Sequence, residues 1–128
     1  MAFKRDIVLV FKIRGDNINP AIINDTLGVE ESEISIKGSM RTNPDSPRTN
    51  IWSVESTCYS DDIEKHWEEI SDKIGHLATE IVNISNTGDC IFTVYIYTRN
   101  RIPPMCLPNS MVKFAGDVGA CIDIDHLQ

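Results

Sequence analysis

A chain of 128 residues with 41% hydrophobic and 24% charged side chains is long enough for one folded domain and too apolar to be disordered. Its 12 Lys and Arg against 19 Asp and Glu leave a net charge of −7, which argues against binding along a nucleic-acid backbone, a task that needs clustered cations. The same charge suits a basic protein partner, because opposite fields speed encounter.

The N-terminal stretch from Met1 to Lys12 has two early basic residues and a short apolar run without a small-residue cleavage site. It reads as a strand, not a signal peptide. Ile7, Leu9, Phe11 and Ile13 alternate with Val8, Val10, Lys12 and Arg14, so one face of this strand is more apolar than the other. Gly15-Asp16 ends it. Asn19-Pro20 opens a short helix, Asn19 as cap and Pro20 at the first helical position, where its missing N–H costs nothing. Ile23 and Leu27 sit one turn apart, and Gly28 is placed to close the helix.

Ile34 and Ile36 alternate with polar residues in a second strand over 33–37. Gly38 to Thr49, with Pro44 and Pro47, is the longest polar loop. A third strand covers 51–57, with Trp52 and Val54 on one face. Then Ile63, Trp67, Ile70, Ile74, Leu77, Ile81 and Ile84 recur at four- and three-residue steps, which predicts a single long helix over 63–84. Asp61 and Glu64 have capping-box spacing at its start, and Gly75 lies inside it.

Cys90 to Thr98 is the strongest strand signal, with Phe92, Val94 and Ile96 facing one way and Ile91, Thr93, Tyr95 and Tyr97 the other. A short helix over 108–118 follows, with Met111, Phe114, Ala115 and Val118 inward and Gly119 past its end. A last strand spans 120–125. No segment reaches transmembrane length.

The order β-α-β-β-α-β-α-β predicts an α+β fold. Its first six elements match a ferredoxin-like two-layer sandwich, with helices on one face of a mostly antiparallel sheet. The extra helix and strand extend that sheet, and residues 1–128 form a single domain.

Several landmarks, taken together, carry a family resemblance. They are Ile13-Arg14-Gly15 at the end of the first strand, the Pro-started helix running into Leu27-Gly28-Val29, Lys37-Gly38 before the polar loop, Trp52, the apolar stripe from Ile63 to Ile84, and the late strand Ile122-Asp123-Ile124-Asp125. In this order they resemble the small bacterial proteins grouped as "domain of unknown function 4279". The chain departs from that pattern at Glu31-Ser32, where the family often has a Pro-Thr-like pair. The resemblance implies a shared fold and supplies no activity. Members of such small families can serve as immunity proteins beside secreted toxins.

Cys58, Cys90, Cys106 and Cys121 form no C-x-x-C pair and no zinc-type Cys/His cluster, so reduced thiols in a cytoplasmic protein are expected, with no metal or cofactor. Asp72, His76 and Glu80 would lie one turn apart on the long helix, but no second cluster completes a metal site, and a solvated helix face is the better reading. His66 stands beside Glu68-Glu69 without a nucleophile in sequence, and reads as an exposed helical histidine. Asp123 and Asp125 share one side of the last strand, where charge discourages unwanted strand pairing. No phosphate loop, nucleophile elbow or Ser–His–Asp pattern is present.

What remains is surface. Acidic residues gather at Glu30, Glu31 and Glu33, and at Asp61, Asp62, Glu64, Glu68, Glu69 and Asp72. With Tyr95 and Tyr97 as anchors, they are the expected contacts with a basic protein. Trp52 and Trp67 fall in apolar stripes and read as core. The expectation is a non-enzymatic, stoichiometric inhibitor, such as an immunity protein against a basic toxin domain of the nuclease kind. The alternative is a small-molecule-sensing or regulatory domain, able to homodimerise, with a pocket around Tyr95, Tyr97 and Arg14. A third reading, an enzyme built on Asp123, Asp125 and Arg41 or Arg48, requires those groups to converge. Neither nucleic acid nor membrane is an expected partner.

Overall fold

The most apolar strand sits where a sheet is most enclosed. In the computed structural model, which describes residues 5–29, 32–37, 49–98 and 104–127, β1 (Ile7–Gly15) is flanked on both sides by antiparallel partners, β3 (Asn50–Glu55) and β4 (Asp89–Ile96). The short β2 (Glu33–Ser35) adds antiparallel to β3, and β5 (Cys121–His126) adds parallel to β4. The sheet order is β2-β3-β1-β4-β5. The fold is α+β with a mostly antiparallel sheet. Strand β2 stops at Ser35, short of the expected Lys37, whose N–H turns to the Asn50 side chain at 2.8 Å.

The helices are α1 (Pro20–Leu27), α2 (Ile63–Ile74), α3 (Ala78–Ile84) and α4 (Asn109–Val118). Their apolar side chains share one core with alternate residues of the sheet: Ile7, Leu9, Phe11 and Ile13 of β1, Trp52 and Val54 of β3, and Phe92, Val94 and Ile96 of β4. Both tryptophans are buried there, as their positions in the apolar stripes predict. Phe11, Phe92, Trp67 and Phe114 form an aromatic cluster with ring centroids 4.8–6.1 Å apart. The Trp67 indole N–H donates to the Ser110 hydroxyl at 2.8 Å, tying α2 to α4.

The caps of α1 follow the sequence reading. Asn19 Oδ1 accepts from the N–H groups of Ala21 and Ile22, and Gly28 takes a left-handed φ of 62°. The predicted long helix does not hold. It breaks after Ile74, Gly75 closes α2, and α3 restarts at Ala78. Ile63, Trp67, Ile70 and Ile74 remain buried before the break and Ile81 after it, so the apolar period runs through the interruption without revealing it. The start of α2 also shifts by one residue. Asp62, not Asp61, caps it by accepting from Glu64 N–H, while Asp62 N–H is held by Ser60 Oγ.

His66 is the clearest reversal. Expected on the surface, it is 0% exposed, as is Ser56 beside it. His66 Nε2 donates to the Ser60 carbonyl at 2.7 Å, which leaves Nδ1 to accept from the Ser56 hydroxyl at 2.6 Å in the neutral ring. The same hydroxyl accepts from Leu9 N–H at 2.9 Å. This chain of bonds joins β1, the segment after β3 and α2. Catalysis by a Ser–His pair needs access to substrate, and complete burial denies it here.

Two substitutions test this framework. Ser56→Ala strips a partner from both Leu9 N–H and His66 Nδ1, and should cost about 1–3 kcal/mol in urea unfolding. At Gly88, in the turn between α3 and β4, a Cβ would lie 2.2 Å from the Arg14 carbonyl oxygen. Gly88→Ala should therefore force β1 and β4 apart at that end, and lower stability by about 1–3 kcal/mol in the same assay.

Candidate partner-binding surface

Strand alternation sends every second side chain of β1 and β4 away from the helices. The centre of this second face is apolar and enclosed, with Val8, Val10, Ile91 and Thr93 buried. Around it the register arranges longer polar groups. Glu55 lies opposite Val10, Val10 opposite Thr93, and Thr93 opposite Asp123, so two carboxylates bracket the row across four strands. At interstrand spacings of about 4.8 Å they stand roughly 14 Å apart. Asp125 lies opposite Tyr95, and Glu33 opposite Ser53 on the far side.

Tyr95 and Tyr97 stack with ring centroids 6.1 Å apart and planes 28° from parallel. Lys12 Nζ donates to the Tyr95 hydroxyl at 2.7 Å and lies 5.2 Å from its ring centroid, which fixes the inner ring. Tyr97 is 51% exposed. Partial burial pushes its phenol pKa up, and so do neighbouring Tyr95, Glu55 and Asp125, against an opposing effect of Arg5. An exposed aromatic thus shares this face with Glu55 and Asp125 as well as with Lys12.

The carboxylates expected on the helical side lie elsewhere and are partly engaged. Asp62 caps α2, and Glu68 pairs with Lys65 at 3.6 Å. Glu69 accepts from Thr57 N–H at 2.7 Å, the Thr57 hydroxyl at 2.8 Å and Cys58 N–H at 3.1 Å, latching α2 to the segment that follows β3. Asp61, Glu64 and Asp72 are exposed; Asp61, Asp62 and Glu64 line an open cleft of about 480 Å³ with Cys106, Pro108 and Ser110. Tyr95 and Tyr97 project from the opposite side of the sheet. The predicted residues therefore form two surfaces, not one. Glu30 and Glu31, like Arg41 and Arg48, lie outside the described residues.

Asp72, His76 and Glu80 do not share a helical face, because the break at Gly75 separates them. Among the described residues no group of three His, Cys, Asp or Glu side chains could hold a metal ion. Arg14 lines an open cleft of about 470 Å³ with Asp16, Thr49, Gly88 and Asp89, and is bound to Asp89 at 2.8 Å. The tyrosines do not line it. All four cysteines are free, with Cys90 buried and Cys106 and Cys121 exposed. No helix among the described residues is long and apolar enough to cross a membrane.

Sequence reasoning missed Glu55, a lone carboxylate in a strand whose position near Tyr97 depends on pairing between distant segments. It also missed the latch made by Glu69. Partial burial pushes the Glu69 carboxyl pKa up, but the Thr57 hydroxyl, the two backbone N–H groups and Lys73 outweigh it and hold it below the ordinary value of 4.5. A folded-state pKa below the unfolded one stabilises the fold above the unfolded value, and that contribution is lost as pH falls through the folded one. Glu69→Gln should therefore melt lower than the parent at neutral pH. The gap should narrow as pH falls below about 4.5 in a thermal-melt series.

Searches of curated proteins and of solved structures find no match to this chain. A family model does match, from residue 5 to residue 128, over nearly the same span as the fold and surface described above. On that match the chain belongs to the family described as Domain of unknown function (DUF4279).

Proposed function

We propose that this chain is a stoichiometric protein-binding inhibitor, of the immunity type, that covers the working surface of a basic protein such as a nuclease toxin. The observation that carries this reading is the stack of half-buried Tyr95 on exposed Tyr97, on the sheet face turned away from the described helices, with Glu55, Asp123 and Asp125 on that same face. None of these three carboxylates forms an ion pair among the described residues. The tyrosines offer large contact area at small entropic cost, as interface anchors do. Electrostatic attraction brings the partner in, and burial of Tyr97 slows its release.

The protein then acts by occupancy and not by chemistry. Four free cysteines support a reducing compartment such as the cytoplasm. The antiparallel order β2-β3-β1-β4 supports a ferredoxin-like core to which β5 is added.

The test uses tagged chain to capture a basic protein from the native cell, followed by binding measurements on the purified pair. The association rate should fall steeply with salt, and Tyr97→Ala should weaken affinity about tenfold or more. Asp72→Lys, on the helical side, should leave it within about twofold. A salt-insensitive complex, or one indifferent to Tyr97, would overturn the reading.

A further inference from the structure

The basic-partner reading leaves open where on the surface the partner's backbone lies, and the sheet's outer strand bears on that. β5 is the last strand in the order, so among the described residues one side of its backbone is unpaired within the sheet. The Leu127 N–H donates to the Ile96 carbonyl at 2.8 Å, which fixes the phase of the parallel ladder. In that phase Cys121, Asp123 and Asp125 direct their backbone groups toward β4, and Ile122, Ile124 and His126 direct theirs outward. The opposite edge, β2, offers only three residues against six in β5.

The side chains of β5 divide by face. Ile122 and Ile124 stand on the helical side, opposite Phe92 and Val94, and Ile122 packs against the core while Ile124 is 59% exposed. Asp123 and Asp125 stand exposed on the side away from the described helices, one strand away from Thr93 and Tyr95. A strand added here shares these faces residue by residue. Apolar residues on it would cover Ile124, and the residues between them would meet Asp123 and Asp125. A second copy of β5 fits poorly, because it brings carboxylates against carboxylates. Lysine or arginine at those positions meets opposite charge on β5, with the Tyr95–Tyr97 stack one strand further in.

We propose that the outer edge of β5 is the docking line for an extended strand of the basic partner, with lysine or arginine at alternate positions and apolar residues between them. This rests on the basic-partner reading and adds the conformation of the bound segment and the line it occupies. Backbone hydrogen bonds hold it, and the two aspartates select its side chains and refuse self-association.

The test is a titration of the isotope-labelled full chain, followed by NMR, with two short synthetic peptides. One alternates lysine with valine, and the other alternates glutamate with valine. The lysine peptide should shift the amide signals of Ile122, Ile124 and His126, slow their hydrogen exchange, and bind about tenfold tighter than the glutamate peptide. In the double variant Asp123→Lys/Asp125→Lys, both at exposed positions, the preference should invert. Equal binding of both peptides, no binding, shifts confined to other segments, or dimers through β5 in sedimentation would each overturn the proposal. If the native partner binds with the expected salt and Tyr97 dependence but leaves the β5 amides exchanging freely, the edge proposal fails and the basic-partner reading stands.

Discussion

The two central strands, β1 and β4, pair antiparallel over almost their full lengths, and each alternates its side chains with a period of two. Leu9 meets Val94, Phe11 meets Phe92 and Ile13 meets Cys90 on the side that the helices cover. A slip of one residue in this pairing would turn the aromatic cluster outward and bring Lys12, Arg14 and Tyr95 into the core. The burial of hydrocarbon on one face and the display of tyrosines and carboxylates on the other are therefore a single constraint. The Ser56–His66 bonds reinforce it, because the Ser56 hydroxyl also holds the backbone N–H of Leu9.

That constraint sorts the acidic residues in a way net charge cannot. Asp62 and Glu69 spend their oxygens on backbone N–H groups, and Glu68 on a neighbouring lysine. They hold α2 in place. Glu55 of β3 and Asp123 and Asp125 of β5 come from two distant points in the sequence and reach the rim of one face only because β3, β1, β4 and β5 lie side by side. The first group stabilises the fold, and the second takes no part in those contacts. The exposed aspartates of β5 also place charge along the outermost described strand, where it discourages unwanted strand pairing.

Much of the architecture was legible in the chain because its signals are local. The alternation in Ile7–Ile13 and Phe92–Ile96, the Asn19-Pro20 start and Gly28 stop of α1, and Gly119 after α4 each depend on a few neighbouring residues. The misreadings share a different cause. The stripe from Ile63 to Ile84 describes which side chains face the core, and it stays true across a break that changes the direction of the backbone. His66 stands among charged neighbours on α2, yet the polar groups that make its burial tolerable, Ser56 and the Ser60 carbonyl, come from the segment between β3 and α2.

The sequence by itself determined the class of the fold, most of its elements, the apolar side of each, and the excess of negative charge. Helix and strand periods, caps and composition are properties of short stretches, and such stretches carry them into any tertiary setting. Tertiary structure alone decided that Glu55, Thr93 and Asp123 share one row of the sheet, that the helical carboxylates and the tyrosines stand on opposite sides, and that β5 is the outermost of the described strands. Those facts follow from strand register and layer order, which arise from pairing between segments far apart in the chain, and no local pattern encodes that pairing.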